Sequence, residues 1–237
     1  MNSSPFSGGP RRPGVWQRAG WLAGMFAIGG SLAAAQTNAP AKFRPDEFRP
    51  DNIFAAPAKL SAKLLRVAVL PLAPENVSGE LPEGCTALTP VVWDQVVKSK
   101  RCEAVTVDAD KLRAATGRAA WTGGEVLPPD FFEFLRREYG CDAVLFGEVT
   151  AYRAYAPLAV GWRFKLVNAH TGQTIWAADE IFDAADKKVA KSAQRFEHPK
   201  PHFPLLESGD WAVLNSPRRF GGYSAAALLK TLPERQN

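Results

Sequence analysis

The chain is poor in the residues that carry most protein chemistry. It has three cysteines, three histidines and two methionines in 237 residues. It holds no Gly-x-Ser-x-Gly elbow and no phosphate-cradling glycine loop, so the common serine-hydrolase and nucleotide-binding signatures are absent. Charge of one sign is also scarce. The formal net charge is +5, and Arg11, Arg12 and Arg18 lie in a leader without acids. Setting these three aside from 29 leaves 26 basic residues against 24 acidic ones. That balance argues against nucleic acid as a partner, which calls for a concentrated basic face. A membrane-length apolar run is missing too. The apolar run Ala19–Ala35 is uncharged but has only 17 residues, rich in Gly and Ala, short of the ~20 that span a bilayer.

What is present divides the chain into four parts. Residues 1–35 have the form of a secretory signal: Arg11, Arg12 and Arg18 first, then Trp21, Leu22, Met25, Phe26, Ile28 and Leu32 as the apolar body, then Ala33-Ala-Ala35 ahead of Gln36. Cleavage between Ala35 and Gln36 is expected, which places the mature chain in the periplasm or outside the cell. The alternative is an uncleaved N-terminal membrane anchor. Pro13-Gly14 after Arg11-Arg12 weakens a twin-arginine reading, and no cysteine near the cleavage site offers a lipid attachment point. Residues 36–60 hold Pro40, Pro45, Pro50 and Pro57 and read as an extended linker. Within it Phe43-Arg-Pro-Asp46 is repeated as Phe48-Arg-Pro-Asp51, and Phe43 and Phe48 are candidate anchors for a partner.

Residues 61–183 form the expected α/β (α+β) core domain. Leu64–Leu72 reads as a first strand ended by Pro71, and Thr89-Pro90 as the start of a helix. Cys102–Val107 is a second strand. Asp108 or Asp110 caps a short helix through Leu112 closed by Gly117, and Pro129-Asp130 opens another closed by Gly140. Three strands follow: Val144-Leu-Phe as a buried run, then Trp162, Phe164 and Leu166 alternating with Arg163 and Lys165, then Ile175–Asp183 after the turn His170-Thr-Gly-Gln173. The order predicts a mixed sheet, with one parallel β-α-β crossover followed by an antiparallel three-strand meander and helices packed on it. Residues 184–237 are a helical extension expected to dock back, with a final helix from Ser216-Pro217 to about Leu232 and a fraying tail from Glu234.

These residues resemble a family. The Val67-Ala-Val-Leu-Pro-Leu72 strand with its helix, Gly140-Cys-Asp-Ala-Val-Leu-Phe-Gly-Glu-Val-Thr150, and the Thr171-Gly-x-x-x-Trp176 hairpin resemble bacterial envelope accessory proteins of the CsgG, LpoB and TolB N-terminal type over residues 64–183. The resemblance implies a periplasmic assembly, secretion or cell-wall-synthesis accessory without chemistry of its own. It implies envelope proteins or a cell-wall polymer as partners, and homo-oligomers as one possible state. Members are commonly lipoproteins, whereas this chain lacks the lipidated cysteine. It also has no spare ~10-residue alternating segments for a membrane hairpin.

The competing class is a periplasmic ligand-binding protein or a hydrolase using surface carboxylates. Its candidates are Asp108, Asp110, Asp130, Asp179, Glu180, Asp183 and Asp186, none fixed as a pair by spacing. His198 and His202 are four apart, but Pro199 and Pro201 forbid the helix that would aim both at one metal, so neither metal nor cofactor is expected. Trp162 and Trp176 belong to strands and read as core. Trp121 and Trp211 fall in loops and are contact candidates. Arg218 and Arg219 sit in the first turn of the last helix, where cations are disfavoured. They should pair either with the acidic run Asp179–Asp186 or with an anionic partner. Cys85, Cys102 and Cys141 are an odd set. With the first strand lying between theirs, Cys102 and Cys141 stand ~10 Å apart, beyond the ~7 Å limit for a disulfide, so free buried thiols are expected.

Overall fold

Apolar side chains recurring every second residue in the strands and every third or fourth in the helices set the architecture. A computed structural model describes residues 43–45, 47–56, 59–62, 64–197 and 212–236. The leader with its Ala35/Gln36 junction, His198, His202 and Trp211 lie outside the described residues. The described residues belong to one compact unit.

In chain order the elements are β1 (Ile53–Ala55), β2 (Lys59–Leu60), β3 (Arg66–Val69), β4 (Ala73–Pro74), α1 (Leu81–Ser99), β5 (Glu103–Thr106), α2 (Ala109–Thr116) and α3 (Phe131–Tyr139). There follow β6 (Ala143–Arg153), β7 (Ala159–Asn168), β8 (Thr174–Asp183), α4 (Lys187–Glu197), a single 3-10 turn at Val213–Asn215, α5 (Pro217–Leu229) and β9 (Glu234–Arg235). The main sheet runs β1-β8-β7-β6-β3-β5, with β4 pairing further along β6. β3 pairs in parallel with β5 and β6, while β6, β7 and β8 form the antiparallel meander. The fold is therefore the mixed α+β sheet that the residue pattern predicts. Pro71, which has no N–H to give the ladder, falls between β3 and β4 and ends the first strand where expected.

The two faces of the sheet are packed differently. On the first face, rows Leu145-Leu166-Trp176, Gly147-Phe164-Ala178 and Val149-Trp162 cross β6, β7 and β8 in register. They lie in one apolar core with Leu88, Val91 and Val92 of α1, Val189 and Ala193 of α4, and Phe220, Ala225 and Leu228 of α5. Trp162 and Trp176 are fully buried, as their alternation implies. Their indole N–H groups donate to Ser224 Oγ at 2.8 Å and Thr231 Oγ1 at 3.1 Å, so burial leaves neither polar atom stranded. On the second face, Ala68, Leu70, Val144 and Phe146 pack under Leu112 of α2 and Phe131 and Leu135 of α3. That cover stops at Phe146.

Several local expectations change. α1 begins at Leu81, and Pro90 lies inside it. Thr89 is no N-cap: its hydroxyl turns back to donate to Cys85 O at 2.7 Å. The buried set Leu81, Gly84, Cys85, Leu88, Val91, Val92, Gln95 and Val96 keeps helical period across the proline, and packing outweighs its missing N–H. Asp108 does cap α2, accepting from the amides of Asp110 and Lys111, whereas the Asp130 side chain makes no cap bond to α3. The tail from Glu234 does not fray, because β9 pairs in parallel with β2 and Gln236 N donates to Leu60 O. Part of the proline-rich stretch is also structured: β1 pairs antiparallel with β8 through Ile53-Ala178 and Ala55-Trp176. The three cysteines are free, with β3 lying between the strands that Cys102 and Cys141 precede. Cys102 is half-buried rather than buried.

Candidate functional site

The charged part of the open face is written by strand register. Beyond Phe146 the second face of the meander carries Lys165 and Ala177 in one row, with Phe54 beside them on β1, and Glu148, Arg163 and Asp179 in the next. Arg163 is central. Its Nε donates to Asp179 Oδ2 at 2.8 Å, and its two terminal nitrogens reach Glu148 Oε1 at 3.2 Å and Glu75 Oε1 at 3.3 Å. One guanidinium thus ties β8, β6 and the segment after β4 to β7. Hydrogen bonding to Asp179 raises the Arg163 pKa further. Burial pushes the Glu148 carboxyl up, against the lowering pull of Arg163.

A cleft of about 340 Å³ opens over this floor, lined by Phe54, Gly123, Gly124, Glu148, Arg163 and Lys165 among others. Lys165 Nζ donates to Gly123 O at 2.7 Å and anchors the loop that forms one wall. Phe54 is 53% exposed at the other wall, and Ile181 is 56% exposed. No group of three or more His, Cys, Asp or Glu suited to a metal occurs among the described residues. The carboxylates are instead consumed by the fold. Asp110 pairs with Arg113 at 2.8 Å, and Asp183 pairs with Arg153 at 2.9 Å while accepting from Ala185 N. Glu180 accepts from Asp51 N, and Asp186 from Lys188 N and Val189 N at the start of α4.

The residues singled out in the sequence do not converge on this cleft. Trp121 is 7% exposed, edge-on to Phe131 at 5.9 Å, with its indole N–H on Thr116 Oγ1 at 2.9 Å and Arg118 over its ring at 4.5 Å. Its loop folds inward because the α2–α3 side of the sheet needs covering. Phe48 packs edge-on against Phe182 at 5.2 Å, and its amide donates to Ser192 Oγ at 2.7 Å. Phe43 is capped by Lys230 Nζ at 4.3 Å from its ring centre. Arg219 pairs with Glu197 at 3.2 Å, at the end of α4 rather than in the Asp179–Asp186 run, and Arg218 is exposed. Sequence reading missed the Glu75, Glu148 and Arg163 cluster. Its signal lay in opposite charges at matching positions of consecutive strands, visible once the hairpins are set in register.

Burial raises the thiols of Cys85, Cys102 and Cys141 to about 11 each, which makes them weak nucleophiles at neutral pH. No described helix is long and apolar enough to cross a membrane.

No protein-family profile and no curated protein matches the chain. Several solved structures are similar to it. The PelC dodecamer from Paraburkholderia phytofirmans aligns at 15% identity over 78% of this chain and 96% of that one, with a TM-score of 0.43. Lipoprotein GNA1162 from Neisseria meningitidis aligns at 18% identity over 63% and 94%, with a TM-score of 0.35. The LpoB C-terminal domain from Salmonella enterica aligns at 13% identity over 50% and 82%, also at 0.35. LpoB is one of the types that the sequence resembles. At these values the likeness assigns no role to any residue here.

Proposed function

We propose that this chain is an exported, non-enzymatic accessory of the bacterial cell envelope that acts by contact with other envelope proteins. The observation that carries this reading is the use to which the acids are put. Of the seven candidate carboxylates a hydrolase would draw on, Asp130 makes no cap bond, while Asp108, Asp110, Asp179, Glu180, Asp183 and Asp186 each hold a backbone amide or a cation of the same chain. An acid-base pair needs carboxylates free to exchange protons with a substrate, and these are committed elsewhere. The export-type leader and the motifs of residues 64–183 support the envelope assignment. Exposed Arg218, in the first turn of α5 where the macrodipole disfavours a cation, is the side chain we assign to an anionic contact.

Crosslinking in the native host, followed by mass spectrometry, tests the reading. Capture of one or more envelope proteins, reduced for Arg218→Glu at unchanged thermal stability, is expected. Absence of any crosslinked protein would overturn it. A partner polymer in place of a protein would overturn the protein-contact reading alone.

A further inference from the structure

We propose that the cavity enclosed by α4, α5 and the residues just before Phe48 is a binding site for a small amphiphilic anion, an oxyanion head on a short apolar body. The inference goes beyond the envelope reading and does not depend on it.

The first observation is a hydroxyl without a partner. Tyr223 of α5 is 3% exposed, and its buried Oη makes no hydrogen bond. A buried donor left without an acceptor is costly, so such a group points to something that completes it. The ring packs on the core, 5.8 Å from Phe182 and 5.9 Å from Phe220 between centres. The hydroxyl end lies among polar groups instead. Burial raises the phenol, and Ser192, Glu47 and Asp186 act on it besides. Ser192, Glu47 and Tyr223 itself all line one cavity, so the hydroxyl is aimed at that space and away from the core.

The second observation is the chemistry of the walls. The cavity holds about 290 Å³, near the lower end of the ~300–1,000 Å³ of small-molecule sites. It runs from Phe196, 47% exposed, to the ring of Tyr223 at 5.9 Å between centres, and the small side chains of Ala226 and Ala227 leave it open. Among the described lining residues three cations, Arg44, Arg195 and Lys230, stand against one acid, Glu47. That acid is already engaged, with both oxygens on Lys230 Nζ at 2.8 Å and one on Arg44 N at 3.0 Å. Excess positive charge beside aromatic and methyl walls selects an anion with an apolar part.

The third is that the site is already assembled. The chain that supplies Arg44 and Glu47 is anchored directly after them, because Phe48, Ile53 and Ala55 pack against the main core. The Phe48 amide donates to Ser192 Oγ at 2.7 Å and ties this wall to α4. An oxygen that accepts in this way keeps its own proton, so Ser192 is a second hydroxyl donor beside Tyr223. Two hydroxyls and the cations thus offer donors to one small head group, and a preformed site spends little free energy on ordering itself.

Octanoate titrated calorimetrically into the purified chain tests the site, with octylammonium as the probe of opposite charge. Octanoate should bind at about 1 mM or tighter and octylammonium should not. Tyr223→Phe keeps the ring and removes the hydroxyl, so octanoate should bind it ~tenfold more weakly. The same variant without ligand should melt no lower than the unaltered chain, because the hydroxyl it lacks had no partner. Ala226→Leu, with an unchanged circular dichroism spectrum, narrows the cavity and should lose octanoate. No binding of octanoate, or equal binding of the two probes, overturns the anion site. Unchanged affinity in Tyr223→Phe, or a ligand-free Tyr223→Phe chain that melts well below the unaltered one, overturns the hydroxyl as its donor. Octanoate bound as well by Ala226→Leu overturns the cavity as its place.

Discussion

The two faces of the β6-β7-β8 meander share the same strands and obey opposite rules. On the first face Trp162, Phe164 and Trp176 stack ring to ring, at 5.2 and 6.5 Å between successive centres, under α1 and α5. α1 and α5 share this core and pack closely on each other. A Cβ on Gly221 of α5 would stand 2.5 Å from Leu88 Cδ2 of α1, so any larger residue there would force the Leu88 side chain to shift. On the second face the helices end at Phe146, and the strands continue with Glu148, Arg163, Lys165 and Asp179. The first face gains its stability from area removed from water. The second binds strands together by one cation among three acids, which contributes less and leaves a surface free. A sheet that has to display something can cover one side fully and half of the other.

Mutations on each face should separate these rules. The largest effect is expected from Trp162→Ala, which empties a fully buried site and frees Ser224 from its partner. Chemical denaturation should show a loss of about 3–5 kcal/mol. A loss below about 1 kcal/mol would mean that the first face is not packed as described.

Gly147→Ala comes next, because its Cβ would lie 2.5 Å from Leu72 Cδ2 and 3.1 Å from Phe164 Cε1 in the same packed row. Overpacking of this kind costs about 1–3 kcal/mol, read from the same denaturation curves. Arg163→Ala should cost about 1–2 kcal/mol at neutral pH, since it leaves three neighbouring carboxylates uncompensated. Thermal melts should show part of that loss restored as acid protonates them.

The smallest effect, and the sharpest in sign, concerns Glu148→Gln. Burial raises the Glu148 carboxyl above the ordinary glutamate value of 4.5. A raised folded-state value means that its stabilising contribution is complete below the ordinary value and is lost as pH rises through the raised one. Removing the charge should therefore stabilise the protein by less than about 1 kcal/mol at pH 8 and do little at pH 4. Melts showing destabilisation at pH 8 would mean that the Arg163 pairing outweighs burial.

The meander and the parallel crossover were legible because their signals are local: period-two alternation, Asp108 as a cap, and Gly117 and Gly140 taking positive φ at helix ends. The first half of α1 was hidden by Pro90, which reads as a start and is tolerated as an interior residue. β1, β2 and β9 are two or three residues long and exist through pairing with partners distant in sequence, so no local pattern announces them. The charged cleft was hidden for the same reason. Glu75, Glu148, Arg163 and Asp179 come from four segments, and only strand register brings them to one guanidinium. The loop position of Trp121 suggested exposure, but the uncovered end of the α2–α3 core draws the ring inward.

The central claim is that the acids of this chain serve its own structure and that it works by contact. Restoring a host that lacks the protein with Asp179→Asn tests it most directly, when growth and partner capture by crosslinking are scored together. Asp179 loses its charge there and can still accept from Arg163 Nε. The account predicts a folded variant that captures the same partners and restores the host. A folded variant that captures those partners and fails to restore the host would contradict it, and would return a chemical role to the open face.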